Sequence, residues 1–153
     1  MPVLFHNGPL SNWYSSPFSY GTRRFANVEQ WMMYWKAVMM KDTTTAQTIM
    51  ATTNPKRIKE LGRTVHGFDQ SIWDKYKYRL VLIGCTAKFS QNDKLKQILI
   101  DTKDELIAEA SPWDNIWGIG LSEHDIRAQD QAQWKGENLL GKVLMEVRQK
   151  LRS

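Results

Sequence analysis

One segment of the sequence, residues 28–41 (VEQWMMYWKAVMMK), constrains the fold more than any other. Wound as an α-helix at about 100° per residue, it carries methionines and aromatic rings on nearly all sides. Only two narrow polar stripes remain on its surface. A helix that is apolar nearly all round is buried on most sides. The segment therefore predicts a helix that other elements cover, within a mainly helical protein.

One of these polar stripes holds Glu29 and Lys36. Seven residues place their Cα atoms about 10 Å apart along the helix axis, which is long for an ion pair but suits two groups that converge on one molecule. Burying a charge without a partner is costly. Two interpretations stay open. Either partners elsewhere in the core satisfy the two charges, or the pair is a catalytic acid/base and an amine whose protonation is tuned by burial among methionines.

Size and composition indicate an ordinary globular protein. The chain has 153 residues, 42% hydrophobic and 24% charged, without an internal repeat or linker, so we expect a single domain over 1–153. The amino-terminal residues lack the pattern of a signal peptide, and no apolar run is long enough for a membrane span. The single cysteine, Cys85, excludes an internal disulfide framework and suits a reducing compartment. We therefore expect a cytoplasmic protein.

The charge of the chain is positive and unevenly distributed. Lys and Arg number 21 against 16 Asp and Glu, and residues 55–80 hold seven bases against three acids. This balance favours anionic partners such as nucleotides, phosphorylated metabolites or nucleic acid, although solvated lysines on helix faces would explain it equally well. Seven tryptophans add flat rings on which a base can stack. An alternative function is therefore a non-catalytic module that binds ADP-ribose, nucleotides or nucleic acid.

Local signals outline the elements around this helix. A hairpin is predicted around Gly21-Thr22, a strand or extended segment over 106–110 and an ordered loop over 111–122. The final helix is predicted to run from position 137 or 138 to about Leu151. The residues predicted to start the other helices are Asn27, Asp42, Asn54, Asp69 and Asn92. The fold class is therefore α+β, mainly α-helical, with a small N-terminal hairpin.

A series of different short sequence blocks is spread in a characteristic order along nearly the whole chain. They are Leu10-Ser11-Asn12-Trp13, 25–30, Lys36-Ala37, Leu61-Gly62-Arg63, 88–92, 109–112 with Asp114, 117–120 and 134–141 followed by Arg148. In this order and spacing the chain resembles the YbiA-like family, also called the NADAR family. The resemblance implies a mainly helical N-glycosidase. Its substrates would be ribosylamino-pyrimidine 5′-phosphates of riboflavin synthesis, or ADP-ribose attached to the amino group of guanine in nucleosides, DNA or RNA.

Both substrate types join ribose C1′ to an exocyclic amine, and such a linkage allows ring opening to an imine. We favour attack by the neutral amine of Lys36, which releases the base and leaves a Schiff base for water to hydrolyse. The alternative is direct displacement by water through an oxocarbenium-like ion. Glu29 is the predicted general acid/base in either case. Asp114 would orient the ribose or activate water, unless it only forms a turn after Pro112.

Further side chains are predicted to contact the substrate. Asn12 would bind sugar or phosphate, Lys88 and Arg24 would neutralise phosphate, and Trp117 beside Gly118 would offer a stacking surface or be a core tryptophan. The helix that begins near Asn138 would present its amide end to phosphate. The expected substrate contacts are thus Asn12, Arg24, Lys88, Trp117, Gly118 and Asn138.

Other kinds of site are not supported by the motifs. The three histidines are scattered and lack cysteine partners, so we expect no metal site and no cofactor. Cys85 lies in an apolar context that favours an inert core thiol over a nucleophile. Gly118 and Gly120 lack the preceding strand and the third glycine of a dinucleotide-binding motif.

Overall fold

The structure is a computed structural model that describes residues 1–152. The described residues include six α-helices and four short strands. The strands are β1 (Val3–Phe5), β2 (Phe18–Tyr20), β3 (Arg23–Phe25) and β4 (Ile107–Glu109). The helices are α1 (Val28–Met39), α2 (Thr43–Met50), α3 (Pro55–Gly62), α4 (Gln70–Ser90), α5 (Asp93–Ile100) and α6 (Leu139–Arg152). The predicted mainly helical α+β class is confirmed, and so is the hairpin, with β2 and β3 antiparallel.

The described residues divide into two units. The helical unit is Asn12–Gln91 and contains the β2–β3 hairpin with α1 to α4. The terminal unit is Met1–Ser11 together with the chain from Asn92 onward, and it contains β1, β4, α5 and α6. Each unit is described by itself below. The expectation of one continuous domain over 1–153 stays a prediction.

Helix α1 begins where its capping residues predict. The Asn27 side chain accepts a hydrogen bond from the Gln30 N–H at 2.8 Å, as an N-cap does. The Gln30 side chain accepts from the Ala26 N–H, also at 2.8 Å, which is one residue before the cap that a capping box would use. Its amide group also donates to the carbonyls of Ile49 and Thr52. Gln30 therefore fastens the start of α1 to the end of α2.

Trp31 is the centre of the aromatic core of the helical unit. Its ring meets those of Phe25 and Tyr20 edge-on, with centroids 5.0 Å away in each case. Its indole N–H donates to the Leu80 carbonyl at 2.8 Å, which satisfies the polar atom of a fully buried side chain. Gly84 of α4 lies directly against the ring, and a Cβ on Gly84 would be 2.5 Å from Trp31 Cδ1. The close approach of α4 to α1 therefore requires glycine at this position.

The terminal unit is built on a pairing that local sequence does not reveal. Strand β1 runs parallel to β4, with Val3 opposite Ile107. Helix α6 packs on β4, and the buried Arg148 donates to the Thr102 hydroxyl and the Glu105 carbonyl, each at 2.8 Å. This guanidinium therefore holds the connection between α5 and β4. Within residues 1–152 no helix has both the length and the apolar character needed to span a bilayer.

Gly84→Ala is expected to destabilise the protein by about 1–3 kcal/mol, because the new methyl group must displace the rigid, buried Trp31 ring. The gain of about 1 kcal/mol in helix propensity offsets only part of this cost. Urea unfolding followed by circular dichroism measures the change. Gly62→Ala is the matched control, since its methyl group would press on the flexible Met33 thioether, which can move. Equal losses in the two variants would contradict the packing described for Trp31.

Candidate active site

A three-residue segment, Asn12-Trp13-Tyr14, brings polar and aromatic groups to the start of α1. The Asn12 carbonyl accepts from the Glu29 N–H at 3.1 Å, and the Trp13 indole N–H donates to Glu29 Oε1 at 3.2 Å. The Tyr14 ring lies 6.0 Å from the Lys88 ammonium. We call this segment the 12–14 strap. It links an acid on α1 with an amine on α4.

Glu29 is a buried carboxylate, only 5% exposed, at the second residue of α1. The amino-terminal end of a helix favours negative charge there, because its peptide dipoles and free N–H groups point toward it. The hydrogen bond from Trp13 also favours the charged form. Glu29 is therefore a buried acid that faces the amino-terminal end of a helix and one indole donor.

Lys36 has different neighbours from those the sequence predicted. Its ammonium lies 4.7 Å from the centroid of the Phe68 ring and 5.8 Å from that of Trp73. Aromatic rings therefore lie beside this amine, and the predicted methionine surroundings stay a prediction. Met33 packs on Gly62 of α3.

Burial lowers the pKa of the Lys36 amine, while the Glu29 carboxylate raises it in part and the Arg63 guanidinium lowers it further. The faces of the two rings attract the protonated form and so act against burial. The Glu29 carboxylate and the Lys36 amine, both on α1, are thus close enough to influence each other electrostatically. Their joint role in one site stays a prediction.

A second amine, Lys88, is almost entirely buried at 1% exposure. Burial lowers its pKa to about 8, and the neighbouring Cys85 opposes this shift. Its ammonium lies inside the helical unit, 4.8 Å from the centroid of the Phe89 ring. The contact to phosphate that the sequence predicted for Lys88 stays a prediction. Lys88 is therefore a buried amine with the character that was predicted for Lys36.

Cys85 and Asn12 lie beside this amine. Burial raises the pKa of the Cys85 thiol to about 12, which fits the expected inert thiol. Its S–H group points to the Asn12 side-chain oxygen at 3.9 Å. Asn12 is buried, whereas Arg24 is exposed on β3, opposite Ser19. Their predicted contacts to substrate stay predictions.

Three of the predicted site residues lie in one part of the terminal unit and have structural roles there. One Asp114 oxygen accepts the N–H groups of Ile116 and Trp117, each at 2.9 Å, as the turn-forming interpretation requires. A Cβ on Gly118 would be 2.9 Å from the Glu109 carbonyl, so this glycine allows the chain to approach itself. Trp117 is half-buried. Their roles toward substrate remain untested.

Asn138 also serves the terminal unit. Its backbone has a positive φ of 55°, and its buried side chain accepts from the Glu109 N–H and donates to the Ile107 carbonyl. It therefore holds both neighbours of Ala108 in β4. The first amides of α6, at Leu139 and Leu140, already donate to backbone carbonyls. The expectation that this helix end offers free amides to phosphate is corrected accordingly.

Sequence reasoning missed several neighbours of the acid and the amine. Trp13 was noticed only within a family block, and Phe68 and Arg63 were not connected with Lys36. A local pattern gives no signal for these contacts, because the residues come from the strap, from α3 and from the segment before α4. Among residues 1–152, no group of three His, Cys, Asp or Glu side chains is arranged to hold a metal ion.

Comparisons with known proteins agree with this fold. The sequence profile of the NADAR domain matches residues 4–152. An N-glycosidase of Acanthamoeba polyphaga mimivirus is 43% identical over 125 residues, which cover 82% of this chain and 74% of that protein. An N-glycosidase of Nostoc punctiforme is 31% identical over 129 residues, which cover 84% and 76% of the two chains.

The NMR structure of the Escherichia coli protein YbiA shares the fold. It superposes with a TM-score of 0.81 at 23% identity and covers 99% of this chain and 84% of its own. The resemblance found in the sequence blocks is thereby confirmed, and the similarity to curated N-glycosidases assigns the chain to the hydrolases. The chain belongs to the NADAR domain family.

Proposed function

We propose that this protein hydrolyses the bond between ribose C1′ and an exocyclic amine. The candidate substrates are a ribosylamino-pyrimidine 5′-phosphate and guanine that carries ADP-ribose on its amino group. The observation that carries this proposal is the pairing of buried Glu29 with Lys36, whose amine has a lowered pKa. Cationic side chains around the pair, Arg63 and Lys59 among them, suit the phosphate that both candidates contain.

The linkage itself explains why an amine belongs in such a site. An N-glycoside of an exocyclic amine opens its furanose ring when C1′ forms an imine with that nitrogen and the ring oxygen takes a proton. The neutral Lys36 amine then adds to C1′, and the bond to the base nitrogen breaks as that nitrogen takes up a proton. Water adds to the new Schiff base, so that the free sugar and the unmodified lysine are restored.

Glu29 is the proposed proton carrier in this sequence. Its carboxylate takes the proton that the base nitrogen loses as the imine forms and gives it to the ring oxygen. It then moves a proton from the added lysine nitrogen to the departing amine and takes one from the attacking water. The second route, direct displacement, needs the same carboxylate to activate water against C1′. The two routes differ in whether a covalent bond to lysine forms, and that difference can be measured.

Purified protein offered both substrate classes in parallel is expected to release the free base from at least one of them. Mass spectrometry would detect ribose 5-phosphate from the first class or ADP-ribose from the second. An enzyme turns over many equivalents of substrate. Binding of either compound without release of base, with an affinity that falls steeply as salt rises, would instead support the non-catalytic alternative.

Lys36→Met should lower kcat by about 10³-fold or more, because the covalent route loses its nucleophile while the methionine side chain fills the space beside Phe68. Borohydride added during turnover should trap the sugar on Lys36, which peptide mapping would locate. Lys94→Ala, at an exposed lysine of α5, is the control and should retain full rate and full trapping. A trapped sugar on Lys88 would transfer the nucleophilic role to that buried amine, and full activity of Lys36→Met would exclude the lysine mechanism proposed here.

Glu29→Gln is expected to lower kcat by about 10²- to 10⁴-fold, since it removes the proton-carrying group and keeps an oxygen that can accept from Trp13. Thermal unfolding should show that the variant is folded. Glu60→Gln is the matched control, because Glu60 lies exposed on α3 in a surface pair with Arg57 at 3.8 Å. Unchanged kcat in Glu29→Gln would eliminate Glu29 as the acid/base.

A further inference from the structure

Trp13 forms a hydrogen bond in the interior of the helical unit and is also partly exposed to solvent. Its indole N–H donates into the interior, to Glu29 Oε1 at 3.2 Å, while 43% of the residue remains exposed. The preceding Asn12 carbonyl accepts from the backbone N–H of the same Glu29. Two successive residues of the strap therefore hold the main chain and the side chain of one acid.

We propose that Trp13 is a positioning residue for Glu29, whose indole N–H fixes the orientation of the carboxylate and favours its charged form. This role rests on the proposed function, in which Glu29 carries protons during hydrolysis. This donor orients the carboxylate from the side of the strap. It also lowers the tendency of the acid to take up a proton in the absence of substrate.

The surroundings allow the effect of this one hydrogen bond to be isolated. Titratable groups near the strap and the acid include Lys36 on α1, Lys59 on α3, Arg63 directly after α3, and Cys85 and Lys88 on α4, together with Tyr14 of the strap itself. Helix α2 has no titratable residue. Replacing the indole by another aromatic ring leaves all of these charges unaltered. A change in the titration of Glu29 would therefore report the loss of the N–H donor.

Trp13→Phe keeps an aromatic ring and removes the donor, so the Glu29 titration should move to higher pH by about one unit. Carbon-13 NMR of the Glu29 carboxyl measures this midpoint in the substrate-free protein. Trp134→Phe is the control, because it removes an equivalent indole bond, to the Ala128 carbonyl at 2.8 Å in the terminal unit. It should leave the midpoint unchanged. The same midpoint in Trp13→Phe and in the unaltered protein would overturn the proposal.

The unaltered protein provides a second test that does not depend on folding of a variant. The Trp13 indole N–H resonance should shift with pH at the same midpoint as the Glu29 carboxyl. An indole resonance that does not change through this titration would overturn the proposal. In turnover, Trp13→Phe should move the acid limb of kcat/KM upward by the same amount. If the unaltered protein cleaves neither substrate class, the proposed function fails, while the two NMR titrations still decide the role of Trp13.

Discussion

The burial of α1 on nearly all sides is the constraint on which the helical unit depends. Its apolar surface requires cover from α2, α3 and α4 as well as from the hairpin, and each of these elements contacts it. The cover is close enough that glycine is required at Gly84, where α4 meets the Trp31 ring. Polar groups on such a helix are covered at least in part by its neighbours. Glu29 is buried in this way, and Lys36 is half-buried.

This burial also gives the site its chemistry. In water a carboxylate and an ammonium group keep their ordinary protonation, whereas inside a protein their charge depends on the groups that face them. Here the helix end and the Trp13 donor favour the negative charge of Glu29, and burial disfavours the positive charge of Lys36. A carboxylate and an amine of this kind suit proton transfer at the ring oxygen and at the nitrogen bound to C1′, together with attack on that carbon. The same interactions that enclose α1 thus prepare the pair for reaction.

The features that the sequence predicted correctly are those that depend on neighbouring residues. Caps such as Asn27 and Asp69, the hairpin and the burial of α1 depend on neighbouring residues, and the structure confirms them. The pairing of β1 with β4 joins positions about a hundred residues apart, so no local sequence pattern predicts it. The rings beside Lys36 come from another segment of the chain, so the sequence pattern of α1 did not indicate these contacts either. The deep burial of Lys88 also gave no local signal, because lysines near helix ends usually reach water.

The central claim is that the Glu29–Lys36 pair receives the ribosyl group of a substrate, and product binding tests it most directly. Proton–nitrogen NMR of the tryptophan indoles during titration with ribose 5-phosphate provides reporters beside both residues. The account predicts shifts for Trp13, which contacts Glu29, and for Trp73, which contacts Lys36, while the enclosed Trp31 indole stays unchanged. Saturable binding that leaves both Trp13 and Trp73 unperturbed would contradict it.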